Sequence, residues 1–363
     1  MKVAFYLADQ NPSRDRSLGI TGYTDGLITA LGKGSDLQLS ALTSQTSYAP
    51  SLREMEIVRV PLGTANGLER LFVDNVHPAF WGPDADLWHY PKGFLPLTCR
   101  YRKPLIGTIH DVIVQHNADR YPESRNALAF AYWISVLKQS IPRFDAIVTI
   151  SEFSQTAIRA FCDRYRLRCP PVRVTYEGFH AGSKAAKRVT KKDTVIHLAS
   201  IQPHKRTCTL LGVWKRLQAI GCPLPLLKLV GTVTEADRVL ARSLLPGVQL
   251  CERLSRPNLE MEIAEARALL LPSEIEGFGL PALEAYALGT PVAYVKSTAV
   301  EELLGEGTPG GFCLDDFDSF RNALEEVLHE SPAAVHARAE AHSEKYSWDA
   351  CGERTVRAYR ECL

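Results

Sequence analysis

The sequence predicts an α/β chain that folds into two doubly wound parallel-sheet domains. Apolar runs of strand length alternate with segments of helical period along the 363 residues, a pattern typical of parallel sheets covered by helices. The alternation breaks at the lysine-rich run Gly182–Asp193, which lacks periodicity and is predicted to be a linker. With 45% hydrophobic and 23% charged residues, the composition fits a globular protein with two cores.

The predicted elements follow one another in the same way on both sides of the linker. Before it, the strands are expected at Lys2–Leu7, Leu37–Leu42, Ile57–Val60, Asp86–Tyr90, Pro104–Ile109, Ala146–Ile150 and Val172–Tyr176, with helices that include Ser124–Ser140 and Glu152–Tyr165. After it, the strands are expected at Thr194–Ser200, Leu226–Gly231, Val248–Cys251, Ala268–Pro272 and Pro291–Val295, with helices that include Arg206–Ile220, Glu235–Leu245, Asn258–Ala266 and Pro281–Leu288. Ligands of such sheets bind beyond the carboxyl ends of the strands, so we expect both domains to face a central cleft.

Charge and cysteine content narrow the class of protein. Residues 1–190 carry 23 Lys and Arg against 17 Asp and Glu, while residues 191–363 carry 19 against 24. A basic first half fits an anionic lipid surface or a phosphorylated acceptor, and equally an ordinary solvated surface. The nine cysteines are scattered without CxxC spacing, and no stretch has the length of a signal peptide or membrane span. A cytoplasmic protein without disulfides or zinc is expected.

The run PSEIEGFGLPALEAYALGTPV, residues 272–292, combines a strand end, a glycine turn and a helix start. Gly277 and Gly279 lie in the predicted turn, and Pro281 suits the first turn of the helix. Glycines let a ligand approach the backbone, and the free amides from Phe278 to Leu283 face it with the positive end of the helix dipole. This arrangement favours a phosphate.

Two carboxylates, Glu276 and Glu284, flank that turn. Carboxylates repel phosphate, so we expect them to accept hydrogen bonds from the neutral hydroxyls of a sugar or ribose beside it. A solvated helix face is the plainer interpretation of Glu284 alone.

The whole run closely resembles the donor-site signature of glycosyltransferase family 4, the retaining sugar transferases of the GT-B fold. The resemblance implies an N-terminal acceptor-binding domain at 1–183, a C-terminal nucleotide-sugar domain at 184–346, and a last helix, 347–363, that crosses back to the first domain. It implies that Glu276 contacts the donor sugar, Glu284 holds the nucleotide ribose, and the amides of Phe278, Gly279 and Leu280 hold sugar and diphosphate.

Further donor-binding candidates follow the first strands of the second domain. Lys205 is placed to neutralise a diphosphate leaving group. The family commonly has an arginine where this chain has Ser200, so Arg206 and Arg253 are candidates for a second cation. Gly231, which ends the next predicted strand, completes this group.

In the first domain, the resemblance points to two further places. Gly19 and Gly22 in Gly19-Ile-Thr-Gly-Tyr-Thr24 are predicted to form a glycine loop before a helix that reaches about Leu31. His110 ends a predicted buried strand, and in the family the histidine there borders the reacting sugar. Its neutral imidazole is expected to donate to a sugar hydroxyl. A buried core histidine is the plainer interpretation.

The resemblance implies retaining transfer of a hexose from a nucleoside diphosphate sugar to a hydroxyl of a glycan or lipid-linked acceptor in envelope or exopolysaccharide biosynthesis. UDP-glucose is the first expectation for the donor, and GDP-mannose the second. Neither Asp84-Ala-Asp86 nor Asp315–Asp318 stands in a convincing metal position, so catalysis without metal or other cofactor is expected. The alternatives are a sugar-nucleotide epimerase of the same fold, a noncatalytic nucleotide-sugar-binding module, and a glycoside hydrolase that uses the two acids.

Two basic, aromatic segments, Arg100–Lys103 and Arg159–Arg168, are candidates for peripheral contact with the cytoplasmic membrane face or a lipid diphosphate. An ordinary solvated helix face explains the second segment equally well. No nucleic-acid partner is expected, because no nucleic-acid-binding module is recognisable.

Overall fold

The structure is a computed structural model that describes residues 1–10, 18–34, 36–43, 55–60, 67–76, 82–99, 103–124, 127–180, 182 and 189–363. The chain divides into a first unit, Met1–Gly178 with Tyr346–Leu363, and a second unit, Phe179–Lys345. The boundary therefore follows Gly178 and not residue 183, because Gly178 still packs against Trp348 of the first unit. Residues 183–188 of the predicted linker lie outside the described residues.

The first unit is built on a seven-stranded parallel sheet whose order is β3-β2-β1-β4-β5-β6-β7. Its strands are β1 Lys2–Tyr6, β2 Gln38–Thr43, β3 Glu56–Arg59, β4 Leu87–Tyr90, β5 Leu105–Thr108, β6 Ala146–Thr149 and β7 Val172–Val174. The helices that connect them are α1 Leu18–Gly32, α2 Gly67–Asn75, α3 Ile113–Arg120, α4 Ala127–Ser140 and α5 Glu152–Tyr165. The order changes direction between β1 and β4, which makes this the switch point of the sheet.

The second unit contains a six-stranded parallel sheet in the order β10-β9-β8-β11-β12-β13. Its strands are β8 Thr194–Ala199, β9 Leu226–Gly231, β10 Val248–Cys251, β11 Ala268–Leu271, β12 Val292–Val295 and β13 Gly311–Phe312. Its helices are α6 Thr207–Ala219, α7 Glu235–Arg242, α8 Arg256–Glu265, α9 Leu280–Ala287, α10 Ala299–Leu304, α11 Phe317–His329 and α12 Pro332–Lys345. The prediction of two doubly wound parallel sheets is thus confirmed.

The strand β13 was not predicted, because two residues are too short to show a periodic pattern. The switch point of this sheet lies between β8 and β11, which are hydrogen-bonded neighbours. The loops that follow these two strands therefore begin side by side at the carboxyl edge. They are the segments that carry Lys205 and Glu276.

The C-terminal helix, α13 Trp348–Arg360, belongs to the first unit. Its N-cap Ser347 accepts a hydrogen bond from the amide of Ala350. The ring of Trp348 lies against Gly26 of α1 and against Gly178, and a Cβ on either glycine would stand 2.4 to 2.5 Å from ring atoms. At the other end of α13, the buried Tyr359 hydroxyl hydrogen-bonds Nδ1 of His89 in β4. Both ends of α13 are therefore fixed to the first unit.

We predict that Gly26→Ala lowers the stability of the protein by about 1–3 kcal/mol, because its Cβ overpacks the Trp348 ring. Gly22→Ala on the same helix is the matched control, since nothing lies within 4 Å of its Cβ position. It should raise stability by up to about 1 kcal/mol through helix propensity. Urea unfolding measures both, and equal effects of the two substitutions would contradict this packing.

Candidate functional site

The loops after β8 and β11 are joined by a short set of hydrogen bonds at the switch point. The amide of Glu274 donates to the carbonyl of His204 at 3.0 Å. Behind them, the buried His197 of β8 donates from Nδ1 to the Leu270 carbonyl and accepts at Nε2 from the Thr207 hydroxyl, both at 3.0 Å. His197 thereby connects β8, β11 and the first residue of α6. Burial lowers its pKa to about 4, so the ring is neutral at pH 7.

These two loops bring together Lys205, predicted to contact the leaving group, and Glu276, predicted to contact the sugar. Lys205 Nζ lies 2.6 Å from Glu276 Oε1. The Glu276 side chain is 11% exposed, and that of Lys205 is 26% exposed. The described part of the chain offers Glu276 Oε2 no hydrogen-bond partner, and it gives the Lys205 ammonium no second acceptor. The pair therefore keeps one carboxylate oxygen and two N–H donors for a ligand.

The turn between the two acids requires glycine. Gly279 is the N-cap of α9 with φ 114°, and a Cβ there would stand 2.9 Å from Val300 Cγ2. A side chain is excluded both by the left-handed backbone and by this contact. Leu280 begins α9, Pro281 has no N–H, and the amide of Ala282 donates to the Gly279 carbonyl at 2.9 Å, which leaves the Leu280 amide without an acceptor inside the helix. Gly277, Phe278 and Gly279 are buried, and the positive end of the α9 dipole lies behind this turn.

The second acid, Glu284, also has a cation. Arg256, the first residue of α8, donates from Nη2 to Glu284 Oε1 at 2.6 Å and from Nε to Glu260 Oε1 at 2.9 Å. Burial raises the pKa of Glu284, while Arg256 and His180 act to lower it and Glu260 acts to raise it. As with Glu276, Oε2 of Glu284 has no hydrogen-bond partner among the residues that the structure describes.

The other predicted donor-binding residues have different surroundings. The Arg206 guanidinium forms ion pairs with Asp315 and, at 3.8 Å, with Glu274, so its charge is already balanced. Arg253 is exposed in the loop before α8. Ser200 accepts a hydrogen bond from the amide of Gln202 at 3.2 Å. Gly231 ends β9 with φ 129°, where a Cβ would stand 2.3 Å from the Ala199 carbonyl oxygen. A second cation at the phosphate remains a prediction.

In the first unit, His110 follows β5 at the carboxyl edge of the sheet. Its Nε2 lies 3.1 Å from the carbonyl oxygen of Pro91, and its ring meets the Tyr23 ring edge to face at 4.7 Å. Burial lowers the pKa of His110 to about 4. Because a carbonyl only accepts, Nε2 carries the hydrogen and Nδ1 is left as an acceptor. The expectation that the imidazole donates a hydrogen bond is therefore corrected: with Nε2–H on the Pro91 carbonyl, the ring offers a ligand an acceptor at Nδ1.

The expected glycine loop at Gly19 and Gly22 is wrong as a description of the backbone. Both residues lie within α1, which already begins at Leu18. The sequence Leu-Gly-Ile-Thr-Gly continues into the apolar face of α1 without a break, so the helical period outweighs the two glycines. Gly22 is one turn inside the helix, where its amide bonds to the helix itself.

Three features near the predicted site residues were not identified from the sequence: Arg256, His197 and an ion pair between Lys92 and Asp9. Arg256 gave no signal, because an exposed arginine at a helix start is common. His197 lies inside an apolar strand, where the sequence alone predicts a buried core residue. Lys92 and Asp9, which follow β4 and β1, form a buried ion pair at 3.5 Å at the carboxyl edge of the first sheet. Their position after two neighbouring strands was the available signal.

The structure also describes parts of the acidic pairs and basic segments that were considered from the sequence for metal and membrane contact. Asp86 accepts from the amide of Lys2 at the amino edge of the first sheet, away from the switch point. No metal-binding group of three His, Cys, Asp or Glu side chains occurs within the described ranges. Residues 100–102 lie outside those ranges. In the other basic segment, Arg164 pairs with Asp119. None of the helices that the structure describes could cross a bilayer, given their length and polarity.

Comparison with known proteins gives a family match over part of the chain. Residues 181–344 match the family described as Glycosyl transferases group 1. The chain is 25% identical over 292 residues to the O-antigen chain mannosyltransferase B of Escherichia coli, which covers 76% of this chain and 74% of that protein. It is 29% identical over 209 residues to the D-inositol 3-phosphate glycosyltransferase of Mycolicibacterium paratuberculosis, with 52% and 46% covered. The chain thus spans less than half of the second relative.

Solved structures resemble the whole chain. Sucrose-phosphate synthase of Thermosynechococcus elongatus matches with a TM-score of 0.72 at 18% identity, covering 99% of this chain and 98% of that one. Anabaena HepE in complex with UDP-glucose matches with a TM-score of 0.67 at 17% identity, covering 99% and 100%. At these identities the likeness establishes the fold.

Lowering the pH should reduce the free energy of unfolding, because the buried His197 that joins β8, β11 and α6 would have to take up a proton. The pKa of His197 is about 4 in the folded protein and about 6.5 when exposed, so the unfolded state binds more protons between these values. Stability is therefore complete above about pH 6.5 and falls towards pH 4, by about 1–2 kcal/mol at pH 5 from His197 alone. Urea unfolding at pH 7.5 and 5.0 measures this loss, and His197→Gln should reduce it. An equal loss in both proteins would contradict the assignment.

Proposed function

We propose that this chain, whose residues 181–344 match the family Glycosyl transferases group 1, is a GT-B glycosyltransferase that transfers a hexose with retention from a nucleoside diphosphate sugar to a hydroxyl. The proposal rests on the two ion pairs of the second unit, Lys205 with Glu276 and Arg256 with Glu284. Two nearly buried acids stand on either side of a glycine turn, each held by a cation through one oxygen. Glu276 lies in the loop after β11, beside the switch point, and Glu284 lies in the helix that follows the turn.

On the donor side, the amides of Phe278, Gly279 and Leu280 hold the diphosphate, because the positive end of the α9 dipole lies at this turn and favours an anion. Glu276 accepts from hydroxyls of the transferred sugar, and Glu284 accepts from the ribose. Each does so through the oxygen that its cation leaves open. A charge-assisted hydrogen bond of this kind contributes about 1.5–3 kcal/mol. Neutral sugar hydroxyls suit these positions better than phosphate does.

In the chemical step, the bond between the anomeric carbon and the diphosphate breaks while negative charge builds on the diphosphate. Lys205 has two N–H donors beyond the one given to Glu276, and these stabilise that charge together with the helix amides. The acceptor hydroxyl attacks from the face that the diphosphate leaves, and a phosphate oxygen takes its proton. His110 positions a sugar hydroxyl by accepting at Nδ1. No metal is required by this scheme.

The donor and acceptor are proposed from the relatives. Anabaena HepE was solved with UDP-glucose, and the Escherichia coli relative is named as a mannosyltransferase. We therefore place UDP-glucose first and GDP-mannose second. A glycan or lipid-linked acceptor of envelope or exopolysaccharide biosynthesis fits the name of the Escherichia coli relative. Cytoplasmic location and peripheral contact with the membrane through the basic first half belong to the same proposal.

The proposal is tested by incubating the purified chain with UDP-glucose or GDP-mannose and a panel of lipid-linked oligosaccharides. Release of nucleoside diphosphate should match formation of a glycosylated acceptor whose anomeric configuration, read by NMR, is that of the donor. Glu276→Gln and Glu284→Gln should each lower the rate by about 10- to 100-fold, because each removes a charge from a hydroxyl contact.

The control is Glu235→Gln, an exposed acid at the start of α7, which should leave the rate unchanged. Interconversion of the free nucleotide sugar without acceptor would instead indicate an epimerase. Binding of the nucleotide sugar with no release of nucleoside diphosphate in the presence of any acceptor would indicate a noncatalytic module. Hydrolysis of aryl glycosides without nucleotide would indicate a glycoside hydrolase.

A further inference from the structure

Arg256 occupies an unusual place beside the second acid. It is the first residue of α8, followed by Pro257, and its side chain reaches two carboxylates on two helices. Nη2 bonds Glu284 of α9 at 2.6 Å, and Nε bonds Glu260 of α8 at 2.9 Å. The guanidinium is half-exposed, whereas the two carboxylates are 14% and 13% exposed. One solvent-accessible cation thus serves two nearly buried anions.

Without that cation, the two acids would form an unfavourable pair. Burial raises the pKa of Glu284 first, and the nearby charge of Glu260 raises it further. Two groups lower it, Arg256 by hydrogen bond and charge, and His180 by charge. Arg256 is therefore the main group that opposes the rise in the pKa of Glu284 caused by burial and by Glu260.

The geometry also determines which oxygen of Glu284 meets a ligand. Arg256 engages Oε1 alone, and the described residues leave Oε2 without a hydrogen-bond partner. A planar guanidinium bonded through Nη2 to Glu284 and through Nε to Glu260 is held in orientation by two carboxylates. Its bond to Oε1 restrains the Glu284 side chain before any ligand arrives.

We propose that Arg256 is a positioning residue for the ribose-binding carboxylate: it holds Oε1 of Glu284 and leaves Oε2 to accept from the ribose hydroxyls. This role rests on the proposed function, in which Glu284 holds the ribose. Arg256 contacts neither the sugar nor the phosphates, and it acts through Glu284. Its contribution should therefore appear in nucleotide affinity and in the pH dependence of that affinity.

The sign of the pH dependence follows from the charges. A protonated Glu284 is a weaker acceptor, so nucleotide affinity falls as the pH drops through the pKa of Glu284. Removing Arg256 raises that pKa, so the fall begins at higher pH in Arg256→Ala. Lysine restores the charge but not the two-pronged geometry, and recovery should be partial. Glu260→Gln in the Arg256→Ala background removes the repelling charge and should restore part of the affinity at low pH.

The experiment measures the dissociation constants of UDP and GDP by titration calorimetry from pH 5.5 to 8.5. Arg256→Ala should weaken binding of the tighter nucleotide by about tenfold at pH 7.5 and by more at pH 6. Arg256→Lys and the Arg256→Ala, Glu260→Gln double variant should lie between it and the wild type. Arg238→Ala, which breaks an exposed ion pair with Glu235 on α7, is the matched control and should bind as the wild type does.

Unchanged affinity and pH profile in Arg256→Ala and Arg256→Lys, with a wild type that binds, would overturn the role of Arg256 and leave the proposed function standing. A wild type that binds neither UDP nor GDP at any pH would contradict the proposed function and this role with it. If Arg256→Ala does not fold by circular dichroism, Arg256→Lys decides: wild-type affinity and profile there would overturn the two-pronged positioning.

Discussion

The candidate site depends on the electrostatic cost of placing two carboxylates where water is scarce. Glu276 and Glu284 are each nearly buried, and each is accompanied by one cation on a neighbouring segment. An unaccompanied buried carboxylate would take up a proton and lose its value as an acceptor of hydroxyl groups. The two ion pairs therefore do more than stabilise the fold: each engages one oxygen of its acid and leaves the other oxygen for a ligand.

The parallel sheet makes these pairs possible. Because β8 and β11 are neighbours at the switch point, Lys205 and Glu276 meet although 71 residues separate them in sequence. The hydrogen bonds of His197 to the Leu270 carbonyl and the Thr207 hydroxyl fix the start of α6 against β11. The glycine turn at Gly279 then brings bare backbone and a helix start beside the carboxylates. Each part has an ordinary structural cause, and together they suit a nucleoside diphosphate sugar.

The sequence alone predicted those parts of the fold that depend on residues close together in the chain. Strand runs and the strand-turn-helix at residues 269–288 follow from periodicity, glycine and proline, and they agree with the parallel sheets and with α9. It failed where the outcome depends on distant partners. The pairing of Arg256 with Glu284 requires the relative placement of α8 and α9, and the donor role of His110 was wrong because the Pro91 carbonyl takes its N–H. At Gly22, helical period prevailed over an expected loop.

A crystal structure of the chain with UDP or GDP tests the central claim most directly. We expect the diphosphate within hydrogen-bond distance of the amides at the start of α9, and a ribose hydroxyl on Glu284 Oε2 while Arg256 remains on Oε1. A nucleotide bound away from this turn, or one whose ribose leaves Glu284 without a contact, would contradict the account.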